Sequence, residues 1–196
     1  MDILSFKFKK NTSITQNTNL LILDRDGVIN VNIGYLHKIE DLIFTDEFPY
    51  VIDKFKVGWD VCVATNQSGI ARGMYTKHDL AELSKYMEEK ISLMGLDISR
   101  WYYCPHHPDF TGKFSCRKPE PGMLLQAIEY YKPKRTVFIG DKISVQDAAA
   151  TDNNTYSLID ALLLLLSYFR TFSFHCSLVR FAVFNTSTLL NLFFLL

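Results

Sequence analysis

Four short apolar runs punctuate the chain, at residues 20–23, 61–64, 101–103 and 136–139, each bounded by polar or turn residues. Runs of this length without alternation fit strands buried on both faces, as in a parallel sheet. Between the second and third runs, Leu80, Leu83, Met87, Ile91 and Met94 recur every three or four positions with charged residues elsewhere. That spacing predicts an amphipathic helix over 77–94, and a second helix is predicted over 121–131. Strands alternating with helices read as an α/β domain with a doubly wound, Rossmann-like parallel sheet. Such sheets bind ligands at the carboxyl ends of their strands, so the chemistry should gather along that edge.

The pattern breaks near the C-terminus. Residues 158–196 are rich in Leu, Phe and Ser, and their only charges are Asp160, Arg170 and Arg180. No stretch there reaches the roughly 18 uninterrupted apolar residues of a membrane span, so a membrane role is not expected. The layout read from the sequence is an extension at 1–19, one α/β domain at 20–157 and an atypical apolar tail at 158–196, with 156–159 as a candidate last edge strand.

Composition narrows the picture. A chain of 196 residues, 48% hydrophobic and 21% charged, fits one globular domain with a sizeable core. Lys plus Arg and Asp plus Glu each count 21, so the net charge is zero. That balance lacks the basic footprint of a nucleic-acid binder and suits a small polar substrate. The first 19 residues hold lysines but no apolar run leading to a small-residue cleavage site, so a cytoplasmic location is expected. Cys62, Cys104, Cys116 and Cys176 are few and irregularly spaced, which predicts reduced thiols or a metal site rather than a disulfide framework. A monomer is expected.

The first apolar run leads straight into Asp24-Arg25-Asp26-Gly27, two carboxylates where the chain leaves the sheet edge. One carboxylate can attack phosphorus while a second protonates the leaving oxygen and then deprotonates water. This assigns Asp24 as nucleophile and Asp26 as general acid and base. The attack brings anionic oxygens together, which calls for a bridging divalent cation, and hard oxygen ligands select magnesium.

Alone, an acidic turn with glycine also fits a solvated loop. The second run ends in Thr65-Asn66-Gln67-Ser68-Gly69, a set able to surround phosphate oxygens, and equally able to form an ordinary polar turn. The fourth ends in Gly140-Asp141-Lys142, a further carboxylate for the metal and an ammonium for the substrate. Between them, Arg117-Lys118-Pro119 precedes a helix. Lys118 there can neutralise charge on a transferring phosphoryl group, although a surface basic pair reads the same. The four signals share one position in the pattern, a strand exit or helix entry, and strengthen one another.

The segments DRDGVIN, GYLHKIEDLIF, TNQSGIARGMYT, CPHHPD, CRKPEPGM and FIGDK resemble the haloacid dehalogenase superfamily, and within it the heptose bisphosphate phosphatase branch. Histidinol phosphatases share much of this pattern. The resemblance covers approximately residues 20–150 and implies a core without a large cap domain. It implies Asp24 as nucleophile, Asp26 as acid and base, and magnesium held by Asp24, Asp26 and Asp141. It further implies substrate contacts from Asn32, Ile33, Gly34, Tyr35, Thr65, Asn66, Gln67, Ser68, Arg117, Lys118 and Lys142, with Lys118 and Thr65 stabilising the phosphoryl group. The implied substrate is D-glycero-D-manno-heptose 1,7-bisphosphate, losing its 7-phosphate on the way to nucleotide-activated heptose for surface polysaccharide.

The chain departs from the pattern in three places. Cys104, His106 and Cys116 match three positions of the family's structural zinc loop, but Phe114 stands where the fourth ligand belongs, and a closed zinc site needs four. After Asp141, Val145 occupies a usually acidic position, with Asp147 two residues later. The tail replaces whatever should finish the sheet. Two other outcomes follow: a histidinol-phosphate phosphatase, or an inactive chain with a disrupted C-terminus. A polynucleotide 3′-phosphatase carries similar motifs, but zero net charge argues against it.

Overall fold

The computed structural model describes residues 4–7, 19–141 and the strand at 155–159. The expectations for Lys142, Val145, Asp147 and the tail beyond residue 159 fall outside them. Six strands form one sheet: β1 (Leu4–Phe6), β2 (Asn19–Leu23), β3 (Trp59–Asn66), β4 (Arg100–Cys104), β5 (Arg135–Gly140) and β6 (Thr155–Ile159). Their order is β1-β4-β3-β2-β5-β6, parallel throughout except for β1, which pairs antiparallel with β4. The chain builds outward from β2 through β3 to β4, then returns to place β5 on the other side of β2. The strand order therefore reverses at β2, and a doubly wound sheet opens its ligand crevice there.

The four apolar runs are the four central strands, and their alternation explains why they carry no polar face. Leu21, Leu23, Val61, Val63, Trp101, Val137 and Ile139 pack on one side with helices α1 (Phe48–Phe55) and α2 (Lys77–Leu93). Leu20, Ile22, Cys62, Ala64, Tyr102 and Phe138 pack on the other with α4 (Gly122–Tyr131). A short helix α3 (Pro108–Thr111) lies in the loop between β4 and α4. Leu20 to Leu23 have no exposed surface at all, and full burial of each such side chain stabilises the fold by about 1.5–3 kcal/mol.

Helix α2 starts where Thr76 and Asp79 cap it reciprocally: Thr76 Oγ1 accepts from the Asp79 N–H at 3.2 Å, and the Asp79 carboxylate accepts from the Thr76 N–H at 2.7 Å. This bonding holds the Asp79 carboxyl below its ordinary range. Leu80, Leu83, Met87 and Ile91 are buried as their spacing predicts. Met94, expected on the same face, is instead the residue that ends the helix, and it is exposed.

Two boundaries differ from the sequence reading. The extension at 1–19 contributes β1 to the sheet, because its Leu4–Phe6 segment finds a free edge on β4 and Phe6 stacks on Tyr103 at 4.7 Å. The candidate edge strand at 156–159 is β6, in register with β5, so the sheet carries on beyond the domain end read at 157. The compact unit comprises Met1–Asp160. No helix among the described residues is long and apolar enough to cross a membrane.

Candidate active site

β2 delivers Asp24 at its carboxyl end, where the Asp24 N–H still donates to Ile139 O of β5 at 2.8 Å. The chain then turns at Gly27 with φ of 86°. A Cβ at Gly27 would collide with the Asp141 carboxyl group, so the glycine is what lets the tip of β5 approach this turn. Asp24, Asp26, Asn32, Gly34, Tyr35, Thr65, Asn66, Gln67, Ser68, Arg117, Lys118 and Asp141 line one cavity of about 300 Å³. Of the candidate residues within the described part of the domain, Ile33 alone among the substrate contacts stays outside it. Asn32 Oδ1 accepts from the Gly34 N–H at 3.1 Å, and this tight turn leaves Ile33 exposed at its apex.

The Asp24 carboxylate is held at both oxygens. Oδ1 accepts from the Arg25 N–H at 2.8 Å, and Oδ2 lies 2.5 Å from Lys118 Nζ. The Lys118 ammonium is buried and also donates to Ala64 O at 2.9 Å. Its backbone is clamped by Asn66, whose Nδ2 donates to Lys118 O and whose Oδ1 accepts from the Lys118 N–H, both at 3.1 Å. Asn66 lines the cavity, yet its amide is spent on fixing the lysine loop to the end of β3.

The Asp26 carboxylate is tied inward. It accepts from Arg25 Nε at 3.1 Å, Arg25 Nη2 at 2.8 Å, Asn30 Nδ2 at 3.0 Å and Gln67 Nε2 at 3.1 Å. Arg25 is completely buried and also donates to Leu36 O at 3.1 Å, which closes the loop carrying Asn32 to Tyr35. Sequence reasoning passed over Arg25 and Asn30, although their place within and just after the paired aspartates is the signal that could have found them. It also assigned nothing to Tyr75, which lines the cavity from the loop before α2, although Tyr75 lies within the segment TNQSGIARGMYT.

Arg117 lines the mouth of the cavity, and Arg72 stands beside it, near enough for its charge to act on Arg117. Arg72 lies over the ring of Tyr35 at 5.8 Å and of Phe110 at 4.8 Å, and donates to His107 Nε2 at 2.9 Å. Arg117 donates to His106 O at 3.1 Å. Burial and then the nearby Arg72 charge lower the Arg117 pKa. Neither guanidinium has a carboxylate partner among the described residues.

The zinc expectation requires correction. Cys104 and Cys116 are joined as a disulfide with Cα atoms 5.5 Å apart, not held as separate thiols. The ring of His106 stacks on Phe114 at 3.5 Å. With both sulfurs bonded to each other and a phenyl ring in place of the fourth donor, this set does not fit a closed tetrahedral site. The third thiol within the described residues, Cys62, is free and buried, and burial pushes its pKa up.

Among the described residues no three His, Cys, Asp or Glu side chains are arranged to hold a metal. Magnesium asks for less, one or two carboxylates together with water and substrate phosphate oxygens. Asp24 and Asp141 face the cavity and fit that demand, and Asp26, the third expected ligand, faces it too while its carboxylate accepts from Arg25, Asn30 and Gln67.

A carboxylate at the switch point of a parallel sheet, paired with a buried lysine and sharing its cavity with a threonine, suits a phosphohydrolase. The model of the polynucleotide kinase 3 phosphatase family matches residues 37–171. D-glycero-beta-D-manno-heptose-1,7-bisphosphate 7-phosphatases are similar in sequence: that of Photorhabdus laumondii is 40% identical over 144 residues, 69% of this chain and 77% of the relative. That of Yersinia pestis is 39% identical over 148 residues, 71% and 79% of the two chains. Among solved structures, a haloacid dehalogenase-like phosphatase from Mesorhizobium loti aligns with a TM-score of 0.69 at 27% identity, over 74% of this chain and 73% of that one. The D,D-heptose 1,7-bisphosphate phosphatase of B. bronchiseptica, complexed with magnesium and phosphate, aligns with a TM-score of 0.64 at 26% identity, over 78% and 99%. The chain belongs to the haloacid dehalogenase-like phosphatases, within the polynucleotide kinase 3 phosphatase family of that fold.

Proposed function

We propose that this phosphatase removes the 7-phosphate of D-glycero-D-manno-heptose 1,7-bisphosphate through a phosphoaspartyl intermediate on Asp24. The carrying observation is the division of charge in the cavity. One end pairs Asp24 with Lys118, while Arg117 in the lining and Arg72 beside it have no carboxylate partner among the described residues. A substrate with two phosphates supplies an anion to each end, and the similar chains from Photorhabdus and Yersinia are named for such a substrate. Zero net charge speaks against a polynucleotide, whose binding rests on neutralising many phosphates.

In the reaction, an Asp24 carboxylate oxygen attacks phosphorus and the bond from phosphorus to the sugar oxygen breaks. Asp26 gives the departing oxygen its proton. Lys118 and Thr65 hold the non-bridging oxygens as their charge develops. Asp26 then takes a proton from water, the water oxygen attacks the acyl phosphate, and phosphate leaves with Asp24 restored. Asp24 and Asp141 would hold magnesium, which when bound screens the repulsion between carboxylate and phosphate.

The test is turnover of heptose 1,7-bisphosphate, histidinol phosphate and p-nitrophenyl phosphate, with magnesium and with EDTA. Borohydride quenching should convert Asp24 to homoserine, read by mass spectrometry. Label at another residue, or faster turnover of histidinol phosphate, would overturn the assignment.

A further inference from the structure

Tyr75 is given no role by the motifs, yet it is buried in the cavity wall and held from several sides. Its ring packs on the backbone at Gly69, where any Cβ would collide with it, and stacks on His37 with centroids 5.2 Å apart and planes 11° from parallel. Its hydroxyl donates to Gln67 Oε1 at 2.6 Å. The other end of that amide, Nε2, donates both to Asp26 Oδ2 at 3.1 Å and to Thr65 Oγ1 at 2.9 Å. Gln67 is almost wholly buried, and its own N–H is anchored on Cys104 O at 2.7 Å.

A glutamine amide can be turned over, exchanging its oxygen and nitrogen. Turned over here, it would aim a carbonyl oxygen at the Asp26 carboxylate and take from Thr65 the donor that orients its hydroxyl. A phenol at Oε1 selects the orientation that serves both residues. Burial pushes the Tyr75 pKa up to about 12, so the hydroxyl keeps its proton across the working range.

We infer that Tyr75 is a positioning residue for hydrolysis, setting the Gln67 amide so that Asp26 and Thr65 stand where the reacting phosphoryl group needs them. This rests on the phosphatase reading above. It predicts an effect on the chemical step that passes through Gln67 and leaves ground-state binding of a small ester alone.

The experiment uses p-nitrophenyl phosphate, which lacks a second anion. Tyr75→Phe should lower kcat about tenfold, the loss of one well-formed hydrogen bond, with KM within about twofold of wild type, because uniform binding is untouched. Gln67→Ala should lower kcat at least as far. The double variant should be no slower than Gln67→Ala alone, because Tyr75 acts through that amide. Far-ultraviolet circular dichroism reports that each variant is folded. Tyr75→Phe with wild-type kcat, a loss confined to KM, or losses that multiply in the double variant would each overturn the relay while leaving the phosphatase standing. A folded wild-type chain without turnover would overturn both.

Discussion

The inner wall of the cavity and its mouth handle charge in opposite ways. Inside, every charge at the β2 exit has a protein partner: Asp24 has Lys118, and Asp26 has Arg25. At the mouth, Arg72 and Arg117 lie close enough to feel each other's charge and have no carboxylate partner among the described residues; Arg72 stacks on aromatic rings and bonds a histidine nitrogen, and Arg117 bonds a backbone carbonyl. A buried charge left alone costs several kcal/mol, so the inner pairs were completed by the fold. The outer cations tolerate their state because solvent reaches them, and a ligand can complete them later. The inner wall is set up before substrate arrives, and the mouth is set up to be filled by it.

The sharpest way to break this contrast is at the nucleophile. Asp24→Asn should lower kcat by roughly four orders of magnitude or more, since an amide does not attack phosphorus, while urea denaturation shows a folded chain. Next comes the inner pair: Arg25→Met strands the Asp26 carboxylate and should cost about 3–5 kcal/mol of stability, read from the urea midpoint. The mouth should behave differently. Arg72→Met should raise KM for a bisphosphate about 10- to 100-fold, the worth of one charged contact, yet leave KM for p-nitrophenyl phosphate and the urea midpoint near wild type. Equal effects on both substrates would erase the distinction between wall and mouth.

A separate effect, on stability alone, comes with pH. Burial raises the pKa of Tyr75 to about 12, and those of Tyr102, Tyr103 and Tyr131 in the same direction. The unfolded chain loses these protons from near pH 10 while the folded one keeps them. The stability they lend is therefore fully present below pH 10 and falls as pH climbs through the folded values, by about 1.4 kcal/mol per unit for each tyrosine held neutral. Urea midpoints taken between pH 9 and 12 measure that slope.

The central strands were readable because burial on both faces leaves no alternation, and α2 because its buried stripe repeats at helical spacing. The edge strand β1 was not: three residues, Leu4–Phe6, cannot display a period, and only the open side of β4 makes them a strand. The cavity was legible where residues sit at a strand exit, as Asp24 and Thr65 do, or at a helix entry, as Lys118 does. Tyr75 and Arg72 stand inside the segment TNQSGIARGMYT, yet they escaped because residue types there do not show which groups meet, Tyr75 with Gln67 and Arg72 with the distant Tyr35 and Phe110. The paired cysteines misled for a related reason. Spacing records how far apart two thiols are in the chain, whereas the turn after β4 decides that Cys104 and Cys116 meet each other.

The antiparallel strand at the N-terminus does more than lengthen the sheet. By occupying the outer hydrogen-bonding row of β4, it blocks the row through which two copies could zip together edge to edge. A version of the chain begun at residue 19 would leave that row bare, and its first symptom would be self-association on concentration, with the catalytic groups still in place.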